Sequence, residues 1–131
     1  MIEFGDLIGV PFVRGGRDPA GGLDCVGLTL EIYRRAGIEL PEPSVDYVED
    51  WANRGGLFVP NWPDCFIEIP AALEVLDVAL IERDGEPHHL SVVVRPGVFI
   101  DAHVAVGVYT RRRSGVREKV LQAYRHREVA R

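Results

Sequence analysis

Apolar positions in the first third of the chain recur with a helical step. Val26, Leu30 and Tyr33 stand at i, i+4 and i+7, and Glu31 can pair with Arg34 or Arg35. Gly37 and Pro41 close the run, so the pattern predicts a helix over 25–36. Residues 2–9 predict a short helix ended by Gly9 and Pro11, and VRGGRDPAGG (13–22) predicts a loop. Prolines at 41, 43, 60 and 63 and a Gly55-Gly56 break make 41–64 irregular, with room for a short helix at 45–52. Beyond that the period changes. Segments 77–82, 90–94, 98–102, 104–110 and 119–125 are short and mostly rich in Val, Ile and Leu. Turn signals such as Asp84-Gly85 and Arg95-Pro96-Gly97 separate several of them, which predicts a meander of about five antiparallel strands. Helices first and strands afterwards predict a segregated α+β domain, not an alternating α/β one.

A chain of 131 residues with 47% hydrophobic and 27% charged positions is read as a single domain, 1–131, with enough length to bury a core. Its apolar stretches are too short for a membrane helix, so no membrane partner is expected. The opening MIEFGDLIGVPF carries acids where a signal peptide has bases, which predicts cytoplasmic synthesis and delivery by another route. Cys25 and Cys65 lie 40 residues apart without a CxxC pair, so both are read as free thiols and no metal site or cofactor is expected. Cys65, in NWPDCFIEIP near Trp62, reads as a packing thiol entering a strand.

The net charge of −5 is unevenly spread. Residues 111–131 hold eight Lys or Arg against Glu118 and Glu128, a net +6, so the first 110 carry −11. That basic end reads as a solvated strand and tail, or as a docking surface for an acidic partner. Aromatics are sparse among these arginines, so nucleic acid is not an expected partner.

Cys25 stands where the predicted helix begins, behind Asp24 and a glycine-rich approach. Unpaired N–H groups and the macrodipole favour an anion there, and a nearby imidazole could serve as base and acid. Such a thiol is expected to be alkylated far faster than Cys65. Of the four histidines, His88 and His89 open the strand HHLSVVV, where alternation sets His89, Ser91 and Val93 on one face. Small Ser91 and Gly27 are expected to let the helix start and this strand approach each other. The next strand, VFIDAH, sets Phe99, Asp101 and His103 on one face, and either Asp101 or His103 could orient the imidazole. His126 reads as a solvated residue of the charged tail.

GVPFVRGGRDPAGGLDCVGLTLEIYRRAGIELP resembles the opening of the NlpC-type cell-wall peptidases, a papain-like group of cysteine hydrolases. In that family a glycine-rich loop precedes an Asp-Cys-x-Gly helix start. DVALIERDGEPHHLSVVVRPGVFIDAHVAVGV and VLQAYRHR are similar to its sheet, so the resemblance spans nearly everything except 42–70. It implies a papain-like fold with the nucleophile helix packed on an antiparallel sheet. By position Cys25 matches the nucleophile, His89 the base and Asp101 the third polar residue, usually His, Asn or Gln, with His103 as the competing candidate. Asp24 matches an acid that helps shape the substrate pocket, and Phe12 stands where a tyrosine is common. Val26 replaces the usual serine, and Leu76-Asp77 replaces a common Gly-Asp turn. The implied activity is cleavage of peptide stems in bacterial peptidoglycan. Small members of this kind occur in phage and phage-like tails, which implies incorporation into a virion-like particle and tail or baseplate partners for the basic end.

Overall fold

The protein was analysed as a computed structural model that describes residues 2–42, 62–72, 74–83, 86–112 and 120–129; at 63, 82, 83, 86–89 and 121 it describes the backbone alone. A two-stranded ribbon, β1 (Arg17–Asp18) and β2 (Gly22–Leu23), leads into α1 (Cys25–Arg35). Six further strands follow: β3 (Phe66–Ile69), β4 (Val78–Arg83), β5 (Glu86–Arg95), β6 (Val98–His103), β7 (Gly107–Arg112) and β8 (Val120–His126). They form one antiparallel sheet in the order β3-β8-β4-β5-β6-β7.

The expected meander is present as β4 to β7. The last strand, however, returns to lie beside β4, and the strand that Cys65 enters, Phe66–Ile69, pairs with its other edge. Four residues with prolines close by carry little periodic signal; Phe66–Ile69 becomes a strand because β8 offers it a ladder from Phe66↔His126 to Ile69↔Ala123. The N-terminal helix expected at 2–9 is only a 3₁₀ turn, Gly5–Leu7. Gly9 leaves it to accept a place on the sheet, donating its N–H to the Val108 carbonyl at 2.9 Å. The helix expected at 45–52 lies outside the described residues.

The Val-rich strands are apolar on both faces, each with its own cover. Val78, Leu80, Leu90, Val92, Val94, Ile100, Ala102 and Tyr124 face α1 and pack with Val26, Leu28, Ile32 and Tyr33 in the main core. Ala79, Ile81, Val93, Phe99 and Ala123 form a smaller cluster with Ala72. A run such as VVV therefore needs no alternation to be a strand.

Tyr33 ties the helix to the turn before β4. Its hydroxyl donates to the Leu76 carbonyl, and its ring packs on Phe66 and His126 at 5.9 and 5.7 Å. Leu76 has a φ of 78°, the left-handed conformation that glycine adopts at no cost, which explains why a Gly-Asp turn would suit this place. Asp77 beside it takes both Nε and Nη2 of Arg125 at 2.8 Å.

Two expectations for the C-terminal part are corrected here. His126 is 7% exposed, and burial among aromatic rings pushes its imidazole below the usual range. The basic end is also less free than its charge suggests, because Arg111 pairs with Asp101, Arg125 with Asp77, and Arg127 donates to the Asp64 carbonyl. β8 is an interior strand of the sheet, so a side chain that reads as tail is drawn into the core.

Candidate active site

Asp24 shapes the site. It is the N-cap of α1, with Oδ1 accepting the Gly27 N–H at 2.7 Å and Oδ2 accepting the Gly15 N–H at 2.9 Å. Arg17 adds a guanidinium contact to Oδ1 at 3.0 Å and reaches Glu42 at 2.8 Å. The acid expected at the substrate pocket is thus 1% exposed and engaged inside the protein, where it fixes the glycine loop to the helix start.

Gly27 serves the same junction. A Cβ there would stand 2.0 Å from the Gly16 carbonyl oxygen, so its missing side chain admits the glycine loop, where the sequence pointed to the histidine strand. Phe12 is half-buried, bridges Leu23 and packs against the main core.

Cys25 follows Asp24 as the first helical residue and is 7% exposed. The backbone N–H groups of Leu90, Val26 and Cys25 itself face the sulfur and favour its anion. Burial dominates, with the Asp24 charge acting in the same direction, and together they push the thiol up to about 12. The helix start favours the anion as expected, but burial outweighs it here. Periodicity fixes which turn a cysteine occupies but not how deeply it is desolvated.

The Leu90 amide is the contact that brings β5 to the nucleophile, one residue after His89. His89 pairs with Ile81, and the register slips between Ile81 and Glu82, so His88 is the extra residue of a bulge. On the other side, the ladder between β5 and β6 ends at Val92↔Ile100. Past that point a side-chain bridge takes over, with the Ser91 hydroxyl donating to Oδ1 of Asp101. Ser91 is thus a cross-strand partner and not merely a small residue making room. Asp101, fully buried, also accepts Nε–H of Arg111 at 2.6 Å through Oδ2. The competing candidate, His103, is half-exposed, and its Nδ1 accepts the Ala105 N–H of the following turn at 3.0 Å.

Arg111, Ser91 and the Leu90 amide carry no sequence signal as site components. Arg111 meets Asp101 only because β6 and β7 pair Phe99 with Arg111 and Asp101 with Tyr109. A helix bearing a cysteine at its first turn, laid on an antiparallel sheet beside a histidine strand, is a papain-like α+β arrangement.

The sequence matches the NlpC/P60 family over residues 9–125, and the chain belongs to that family. Solved structures agree in fold. The NlpC/p60 domain of the peptidoglycan hydrolase SagA is 24% identical, with a TM-score of 0.58 over 91% of this chain and 89% of that one. An NlpC/P60 family protein of Bacillus cereus gives 22% identity and a TM-score of 0.62, over 91% of this chain and 36% of that one. A Staphylococcus aureus protein described as similar to lipoprotein, NLP/P60 family, gives 23% and 0.56, over 92% and 37%. The chain thus spans most of the SagA domain and little more than a third of the other two. No curated protein matches the sequence significantly.

Proposed function

We propose that this protein is a cysteine peptidase that cleaves peptide bonds in bacterial peptidoglycan stems, with Cys25 as nucleophile, His89 as base and Asp101 as orienting residue. The observation that carries the reading is the Cys25 sulfur at the first turn of α1, against the Leu90 amide that follows His89. Family membership and the named activity of the SagA domain support it.

Burial and the Asp24 charge push the Cys25 thiol up, so the reading gives His89 the part of a general base that takes the proton during attack. The His89 imidazole takes the Cys25 proton as sulfur bonds to the scissile carbonyl carbon. The oxyanion that forms is met by backbone N–H groups at the helix start, including that of Cys25. Collapse breaks the C–N bond, and the imidazolium protonates the leaving amine. Water, deprotonated by His89, then attacks the thioester carbon; collapse breaks the C–S bond, the imidazolium returns its proton to the leaving sulfur, and the new carboxylic acid ionises to solvent.

The decisive assay is muropeptide digestion followed by mass spectrometry. Wild-type protein is expected to cleave, and Cys25→Ala and His89→Gln to leave the substrate intact. Cleavage by Cys25→Ala would end the nucleophile assignment.

The burial of Cys25 favours a second reading, a structural tail or baseplate component that keeps the fold without turnover. Inert wild-type protein that captures a tail protein would support that. An amidase or acyltransferase would instead yield products of another bond or an acyl adduct. Incorporation into a phage-like particle, with tail partners meeting the basic C-terminal region, rests on the sequence resemblance. Proteomics of purified particles checks it.

A further inference from the structure

β7 ends the six-stranded sheet, and its inner side is fully used: the ladder to β6 runs without a break from Val98↔Arg112 to His103↔Gly107. Its outer side is covered at one point. The Val108 N–H donates to the Val10 carbonyl at 2.9 Å, and the Val108 carbonyl accepts the Gly9 N–H at 2.9 Å. In an antiparallel strand the backbone groups of alternate residues point the same way. Val108 therefore sets the direction of Thr110 and Arg112, whose N–H and carbonyl groups also face outward. The N-terminal segment does not follow the edge any further, since Gly5–Leu7 coils into the 3₁₀ turn. Among the described residues no backbone group pairs with Thr110 or Arg112 on that side.

Charge decides what can fill this edge. Thr110, Arg112 and Arg95 are exposed. Val98 is the cross-strand partner of both Arg95 and Arg112, so the two arginines flank it on one face of the sheet. Arg95 lies over the Phe4 ring at 5.2 Å. Neither arginine meets a carboxylate among the described residues, whereas Arg111 is matched by Asp101 and Arg35 by Asp6. A second copy pairing edge to edge would set like arginines against each other, which is how natural sheets blunt an open edge. The same positive charge favours an acidic strand.

We propose that the outer edge of β7 is a docking strand, to which an extended acidic segment of a partner protein adds as a further strand of the sheet. The backbone of that segment takes the N–H and carbonyl groups of Thr110 and Arg112, and a carboxylate opposite Arg112 supplies the preference for acidic sequence. The proposal goes beyond the peptidase reading and does not rest on it. It narrows the partner expected at the basic C-terminal region to one strand and one chemistry.

The test uses the full chain, 15N-labelled, with a terminally blocked peptide alternating Glu and Thr as probe and its Lys-for-Glu counterpart as control. In the free chain the Thr110 and Arg112 amides should exchange rapidly with solvent. The glutamate peptide should bind, slow that exchange at least about tenfold, and bind more weakly as salt is raised. Its lysine counterpart should not bind. Thr110→Pro removes the outward N–H at an edge position where proline is tolerated, and should weaken binding at least about tenfold while the amide spectrum stays that of the folded chain. Arg112→Glu should turn the preference from the glutamate peptide to the lysine one. If Thr110→Pro fails to fold, Arg112→Glu and the amide exchange decide.

No binding of the glutamate peptide, equal binding of both peptides, or binding that survives the substitutions would overturn the proposal. So would Thr110 and Arg112 amides already protected in the free chain, by a second copy if the chain sediments as a dimer. Particles that contain the chain while it binds no acidic peptide would leave incorporation standing and remove the strand addition alone.

Discussion

Replacing Gly27 by alanine sets two effects of opposite sign against each other. On helix propensity alone, alanine should stabilise α1 by up to about 1 kcal/mol. In the fold, however, the new Cβ would stand 2.0 Å from the Gly16 carbonyl oxygen and 3.1 Å from its carbon. An ordinary carbon–oxygen contact needs about 3.3 Å or more, so the loop must retreat by roughly 1.3 Å.

The obstacle is backbone held on several sides. Gly16 donates to Val13 at 2.8 Å, Gly15 donates to Asp24 at 2.9 Å, and Arg17 holds the Gly16 carbonyl at 3.0 Å. Overpacking of this kind costs about 1–3 kcal/mol, and weakening a charged hydrogen bond to Asp24 adds about 1.5 kcal/mol or more. The net expectation is a loss of about 3 kcal/mol, or roughly 10 °C in Tm for a chain of this size.

Thermal unfolding followed by circular dichroism measures it. Gly21→Ala serves as the control, because the nearest atom to its Cβ would be the Asp18 carbonyl oxygen at 3.9 Å, an ordinary contact. That variant should stay within about 1 kcal/mol of wild type. A Gly27→Ala protein as stable as wild type, or more so, would refute the junction between glycine loop and helix start.

Leu76→Gly should destabilise the protein even though glycine suits a φ of 78°. Relief of about 1–2 kcal/mol of backbone strain is outweighed by about 2–5 kcal/mol for a lost leucine side chain only 8% exposed, and urea unfolding reads the difference. His126 gives a pH dependence: burial lowers its imidazole in the fold, so the unfolded chain binds the proton more readily, and stability falls as pH drops below about 6.5. His126→Phe should flatten that part of the Tm profile, and an unchanged slope would exclude His126 as its source. At pH 7 Cys25 should be alkylated more slowly than half-exposed Cys65 and gain rate as pH rises, because burial pushes its thiol up to about 12. Peptide mapping of iodoacetamide adducts checks this, and complete labelling of Cys25 ahead of Cys65 would contradict the buried, protonated thiol.

Local signals made much of this fold legible. Val26, Leu30 and Tyr33 repeat with a helical period and Gly37 and Pro41 close the run, so α1 was readable to within a residue at its end. The hairpins from β4 to β7 were readable because their turns are carried by neighbouring residues and their strands are short and branched. The pairing of Phe66–Ile69 with β8 was not, since it joins residues about 60 positions apart and has no local period. His126 was misread for the same reason. A residue in a basic segment looks solvated until β8 is known to run through the middle of the sheet.

The site divides along the same line. The sequence by itself determined the order of the chemistry: a cysteine at a helix start, then a histidine strand, then a polar residue on the next strand. Those depend on spacing within single elements. The tertiary structure alone decided that Asp24 is an internal cap, that Cys25 is desolvated, and that Asp101 is shared between Ser91 and Arg111. Desolvation and cross-strand register depend on which distant backbones close over a residue, and no periodicity along the chain encodes them.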